Sequence, residues 1–249
     1  MKSRIIAHRG ASKYAPENTM PAFQLAYDMK AEGIETDVQL TKDGIPVLIH
    51  DETLQRATGI KGFVKNFTLE DVRKLDAGKY FSSKFIGTKL ITLDEFLEWA
   101  SNKELYLNLE LKNNKIDYKD IECKVLDLLE KYNFKKQTTI SSFNPASVKR
   151  MRQLDNNIDI ALLRSRKHDN LTDYAVSLGA SSLHINYRLL HHTLIENSKN
   201  LKIPLRVYTV NKRRSIIKCL KQQCDGLITD VPDKALKLRK NYKLLSFIL

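Results

Sequence analysis

The sequence predicts a TIM-type (β/α)8 barrel, and three observations carry that expectation. From residue 105 onward, short apolar strand patterns alternate regularly with amphipathic helix patterns. Counted from the N-terminus they make eight strand–helix units in 249 residues, the length at which such barrels commonly form one domain. Polar residues able to do chemistry gather where strands end, the face on which barrel enzymes carry their sites. An open doubly wound sheet is the competing arrangement. Residues 1–249 are therefore read as a single domain, with 52–91 as an inserted region of loops and short helices.

Residues 3–8 (SRIIAH) form the first strand, and Asn18-Thr19 offers a helix cap before an apolar-periodic stretch reaching Ala31. Gly33 to Asp51 reads as two antiparallel strands around Asp43-Gly44, a strong two-residue turn signal. The insertion follows, rich in glycine and without a long strand. Thr92 opens a helix to about Ser101. Strands are expected at 105–111, 137–143, 158–164, 181–187, 203–210 and 226–230. Helices are expected at about 118–132, after Asn144-Pro145, and at 171–179, 188–199 and 212–223, with a basic one beyond Pro232.

With Asp43 and Gly44 as the two central turn residues, Asp37 lies opposite His50 and Glu35 shares its face. His8 and Arg9 end the first strand. Asn108, Glu110 and Lys112 alternate at the end of the third barrel strand, while Leu107, Leu109 and Leu111 face the outer helices. Glu35, Asp37 and Glu110 then converge at one mouth, an oxygen-ligand set that selects Mg²⁺ or Ca²⁺ over zinc. An internal Glu110–Lys112 ion pair is the structural alternative. His8 and His50 supply a general acid and a general base, and Arg9 and Lys112 can neutralise an anion. Metal, acid–base pair and cations together suit phosphodiester cleavage.

A 42% hydrophobic content allows a substantial core, and a net charge of +13 favours anionic company. Nucleic-acid binding is not expected, because basic residues do not interleave with aromatics and no binding module is present. The odd number of cysteines, Cys123, Cys219 and Cys224, does not suggest a disulfide framework. A reducing, cytoplasmic setting is expected, since no apolar run reaches the ~18 residues of a membrane span or makes a leader.

An ordered series of motifs resembles the glycerophosphodiester phosphodiesterases. It includes His8-Arg9-Gly10, Pro16-Glu17-Asn18-Thr19, Glu35-Thr36-Asp37-Val38, the run ending at His50-Asp51, Asn108-Leu109-Glu110-Leu111-Lys112, Tyr208-Thr209-Val210-Asn211 and Asp225 to Asp230. The resemblance implies the barrel, a small insertion after the second unit, and hydrolysis of glycerophosphodiesters to glycerol 3-phosphate and an alcohol. Residue by residue it implies Glu35, Asp37 and Glu110 as metal ligands, His8 and His50 as the acid–base pair, and Arg9 and Lys112 as phosphate contacts. It also places Glu17 near the metal and glycerol. Tyr208 stands where tryptophan is frequent, at the wall of the leaving-group pocket, and Ile91 replaces the usual proline before Thr92.

A lysophospholipase-D-like activity is the enzymatic alternative, and a non-catalytic phosphate- or membrane-binding barrel the alternative of another class. The expected partner is a small glycerophosphodiester, with weak contact to an anionic membrane surface as a further option. His184 and Asn186 point inward and fit a pocket wall or a hydrogen-bonded core position equally. The runs Lys212-Arg213-Arg214 and Lys234 to Lys243 read as solvated faces, and the terminal LLSFIL as a tail too short to span a bilayer.

Overall fold

The computed structural model describes residues 3–246, the last four by backbone alone; of the terminal LLSFIL, 244–246 are described by their backbone and 247–249 lie outside the described residues. Its elements are β1 (Arg4–His8), α1 (Met20–Asp28), β2 (Gly33–Leu40), β3 (Pro46–Leu48), α2 (Gln55–Thr58), α3 (Leu69–Lys74) and α4 (Leu93–Ala100). Then come β4 (Tyr106–Leu111), α5 (Ile121–Lys131), β5 (Thr138–Ser142), α6 (Pro145–Leu154), β6 (Asp159–Arg164) and α7 (Leu171–Ser177). The chain closes with β7 (Ser182–Asn186), α8 (His192–Asn200), β8 (Leu205–Tyr208), α9 (Arg213–Lys221), β9 (Gly226–Thr229) and α10 (Pro232–Ser246).

Eight strands pair in parallel in the order β1-β9-β8-β7-β6-β5-β4-β2, and β1 pairs with β2 to close the ring. Closure leaves none of the eight ring strands with a free edge, and the helices cover the outside with Phe23, Phe96, Leu107, Leu109 and Phe134 in one core. The expected barrel is thus present. Arg239 of α10 ties the two chain ends together by donating to the Ser3 carbonyl and to Glu32.

Local chemistry explains the helix starts. Thr92 accepts from the Glu95 N–H while the Glu95 carboxylate accepts from the Thr92 N–H, a reciprocal cap that fixes α4; Asn144 caps α6 ahead of Pro145. Thr19 sits at the N-cap position of α1 but its hydroxyl donates to the Pro16 carbonyl and caps nothing. The stretch expected as one helix from 188 is a 3-10 turn at Tyr187–Leu189 followed by α8.

The hairpin differs from expectation by one residue. Val38 faces Leu48 and Gln39 faces Val47, so Asp37 lies opposite Ile49 and not His50; β3 ends at Leu48. The turn is a longer loop with Gly44 at φ +74°. Asp43 is not free to sit in a tight turn, because it accepts from the Thr41 hydroxyl and from the Leu69 N–H at the start of α3. His50 consequently follows the strand end and approaches the mouth from the side of the insertion. The insertion has a small core of its own, in which Val47 and Ile49 pack with Leu54, Val64, Val72 and Leu90.

A sharp turn after β1 sets the first site residues. Arg9 and Gly10 both have positive φ, at 56° and 80°, and a Cβ on Gly10 would lie 2.6 Å from the Ala22 carbonyl carbon. Gly10→Ala should therefore cost about 2 kcal/mol or more. A urea titration checks this, the midpoint falling relative to the parent.

Candidate active site

β2 organises the site. It is buried along its whole length, flanked by β1, β4 and, at its end, β3, and strand alternation turns Glu35, Asp37 and Gln39 to the barrel interior. Parallel register sets Glu110 beside Asp37 and Asn108 beside Glu35. One oxygen from each of Glu35, Asp37 and Glu110 then lies within 4.8 Å of the others. The three predicted metal ligands are brought together, drawn from points far apart in the chain.

Crowding shapes their ionisation. Burial and the neighbouring Asp37 and Glu110 carboxylates push the Glu35 carboxyl well above the usual range. Burial also works against charge on Asp37, but Arg9, Lys112 and His50, with a hydrogen bond from Asn18, hold it down to about 2. Arg9 Nε lies 3.2 Å from Asp37 Oδ2, and Lys112 Nζ lies 2.7 Å from Glu110 and 3.8 Å from Asp37. Both predicted phosphate contacts are thus engaged on the carboxylates, and the Glu110–Lys112 ion pair exists within the site rather than instead of it.

The residues fit a hard divalent cation. Asp37 Oδ1 and Asn108 Oδ1 are buried acceptors without a hydrogen-bond partner. Asn108, Glu35 and Glu110 line a cavity of about 20 Å³ together with His8 and Tyr208, room for one ion or water. An all-oxygen donor set with surplus negative charge is what Mg²⁺ or Ca²⁺ binds.

Each predicted histidine is held through Nδ1. His8 Nδ1 lies 2.6 Å from Asp230 Oδ1, and His50 Nδ1 lies 2.6 Å from Asp51 Oδ1. A charged carboxylate only accepts, so Nδ1 carries a proton, and Nε2 is the ring nitrogen left to take or give one. His8 Nε2 is 4.0 Å from Glu35 Oε2, at the cluster itself. Asp230 is fixed in turn by Asn211 and by the Ser12 hydroxyl. Asp51 accepts from Arg56, which also donates to Glu17 at 2.6 Å; Glu17 accepts from Arg9 at 2.9 Å. One chain of ion pairs therefore runs from the insertion to Asp37.

Sequence reasoning passed over Asp51, Asp230, Arg56 and Asn18 as site residues. Asp51 adjoins His50, and Asp230 follows the last strand as His8 ends the first; barrel closure makes those strands neighbours, a signal that was present. Asn18 donates to Asp37 Oδ2 at 2.9 Å and accepts from Thr36, which sequence alone does not indicate. Tyr208 has a buried hydroxyl without a partner and meets Phe143 edge-on at 6.1 Å. His184 does not reach the cluster: its Nε2 lies 3.1 Å from Arg206 Nη1, and Arg206 pairs with Asp159. Burial and Arg206 keep that imidazole neutral. Asn186 accepts from the Arg188 N–H to start the following turn.

Two outcomes follow from these pairings. Asp230→Asn leaves His8 without its carboxylate, and steady-state kinetics should show turnover lower by about 10–100-fold with the fold intact. Asp37, depressed from its ordinary 3.8 to about 2, stabilises the cation-free fold above the ordinary value and ceases to as pH falls through about 2. Urea unfolding at pH 5 and pH 2 should show the parent losing about 2 kcal/mol more than Asp37→Asn.

Residues 8–234 match the model of the glycerophosphoryl diester phosphodiesterase family. A glycerophosphodiester phosphodiesterase of Caldanaerobacter subterraneus is 41% identical over 238 residues, which is 96% of this chain and 98% of that protein. One from Bacillus altitudinis is 35% identical over 97% of this chain and 100% of its own length. An Oleispira antarctica phosphodiesterase, solved with the product sn-glycerol-3-phosphate, superposes with a TM-score of 0.86 at 26% identity, covering 96% of this chain and 97% of that one. The chain belongs to the glycerophosphoryl diester phosphodiesterase family and is a phosphoric diester hydrolase.

Proposed function

We propose that this protein hydrolyses glycerophosphodiesters to sn-glycerol 3-phosphate and an alcohol, using His8 and His50 as the acid–base pair and a divalent cation held by Glu35, Asp37 and Glu110. The observation that carries the reading is the pair of carboxylate-held imidazoles beside one buried triad of acids. The family relatives named above, one of them solved with sn-glycerol-3-phosphate, support the substrate class.

A bound Mg²⁺ or Ca²⁺ supplies positive charge for the non-bridging phosphate oxygens. The remaining work falls to side chains. One histidine, through Nε2, takes the proton of the attacking hydroxyl, either a substrate glycerol hydroxyl or water; the other gives a proton to the departing alkoxide. Asp230 and Asp51 keep both rings in the required tautomer and stabilise each imidazolium as it forms. Arg9 and Lys112 offset the phosphate's negative charge beside the acids, and Glu17 holds Arg9 in place. Tyr208 and Phe143 form an aromatic wall next to the cavity.

Glycerophosphocholine, glycerophosphoethanolamine, glycerophosphoglycerol and single-chain lysophospholipids, each assayed with Mg²⁺, Ca²⁺ or chelator, test the reading. Release of glycerol 3-phosphate that stops with chelator is expected. His8→Ala and His50→Ala should each lower kcat by about 10²–10⁴-fold while calorimetric cation affinity stays near the parent value. Glu110→Ala should weaken cation binding itself. Near-normal turnover in both histidine variants would refute the assignment.

A further inference from the structure

The cations around the catalytic acids are balanced by carboxylates, so the excess of +13 resides elsewhere. Part of it stands on the same face of the barrel. The loops after β6 and β7, with the first turns of α7 and α8, enclose a groove of about 580 Å³. Lys167, His168, Arg188 and His191 line it, and Asp169 is the single acidic lining residue among those described. Lys167 and Arg188 have no carboxylate partner among the described residues, in contrast to Arg9, Arg56 and Lys112.

A second observation points to a ligand. Thr172 lines this groove, is 1% exposed, and its hydroxyl has no hydrogen-bond partner. A buried hydroxyl left unpaired costs about 1–3 kcal/mol unless something supplies its partner. The groove also has a rigid side. His168 stacks on Tyr174 with centroids 4.3 Å apart, and the Arg164 guanidinium lies 5.4 Å from the centroid of the same tyrosine ring. The positive charge continues beside Tyr187, whose ring centroid lies 5.9 Å from the Arg188 guanidinium and which Lys212 approaches from the next loop.

Along the chain, β6 leads from the site to the groove. Leu163 lines the cavity shared with His8, Glu35 and Glu110, Arg164 is the next residue, and the loop of the groove follows it. An alcohol leaving the phosphorus toward β6 and β7 therefore passes into positive charge, hydroxyls and amides. Asn170 and Asn197 suit a polyol, and Lys167 with Arg188 suits an anion carried on it.

Resting on the phosphodiesterase reading above, we infer that this groove is a subsite for the leaving alcohol and selects glycerophosphodiesters whose alcohol bears a second phosphate. The groove lies beyond the strand ends, so the extra phosphate interacts away from the scissile bond. Its contribution is electrostatic and falls as salt rises.

The test compares glycerophosphoinositol with glycerophosphoinositol 4-phosphate, which differ only by the phosphate on the alcohol. The full-length protein with its cation should show kcat/KM at least tenfold higher for the phosphorylated diester, with the ratio shrinking between 50 and 500 mM NaCl. In the double variant Lys167→Glu, Arg188→Glu the ratio should fall below one. Thr172→Val keeps the shape of the side chain and removes its hydroxyl; it should lower the ratio with an unchanged or raised Tm. Equal kcat/KM for both diesters in the parent, or a ratio unmoved by all these substitutions in folded protein, overturns the inference while the phosphodiesterase reading stands. Absence of hydrolysis for both diesters and for glycerophosphoethanolamine overturns that reading and this one with it.

Discussion

Repulsion among buried carboxylates is the constraint around which this molecule is built. Glu35, Asp37 and Glu110 are almost wholly removed from water, and their oxygens crowd within 4.8 Å. Left alone, such a triad would neutralise by taking up protons or push the strands apart. Arg9 and Lys112 oppose that by lying against Asp37 and Glu110, while Glu35 still holds a proton more readily than an ordinary carboxyl, and the crowded oxygens make the cluster receptive to a cation. Parallel register fixes the spacing, because β2 and β4 cannot slip without moving every leucine of β4 off its packing.

The same constraint reaches outward through ion pairs. Arg9 touches Glu17, Glu17 touches Arg56, and Arg56 holds Asp51 against His50. The inserted region thereby does more than cover the mouth. Its Arg56 couples the orientation of one imidazole to the charge state of the acids, and its own packing around Leu54 and Val64 keeps that arginine in reach.

Much of this was legible in the sequence for definite reasons. The barrel strands announced themselves because each carries apolar residues at the interval a strand requires, and the acids of β2 and β4 stood out as polar residues inside that pattern. The hairpin register was not legible, because Asp43 is captured by the Leu69 N–H, a contact 26 residues away that local turn preferences do not contain. The Thr19 cap failed for a similar reason: its hydroxyl turns back to Pro16, while Asn18 is drawn to Asp37. The partners of the two histidines were half legible. Asp51 is adjacent in sequence, whereas Asp230 becomes a neighbour of His8 only through closure of the ring. The groove after β6 and β7 was not legible, since nothing in sequence shows that those two loops face one another.

Ring closure carries a temporal meaning for a chain made from its N-terminus. His8 emerges early and Asp230 222 residues later, and β1 gains its β9 neighbour at that late moment. Until then the first strand lacks one flank, and the imidazole that ends it lacks the carboxylate that sets its tautomer. A growing polypeptide on the ribosome accordingly holds the acids, the second histidine and the arginine relay, yet has no finished reaction centre. On the proposed acid–base roles, competence arrives with the final strand, so assembly and activation are one event.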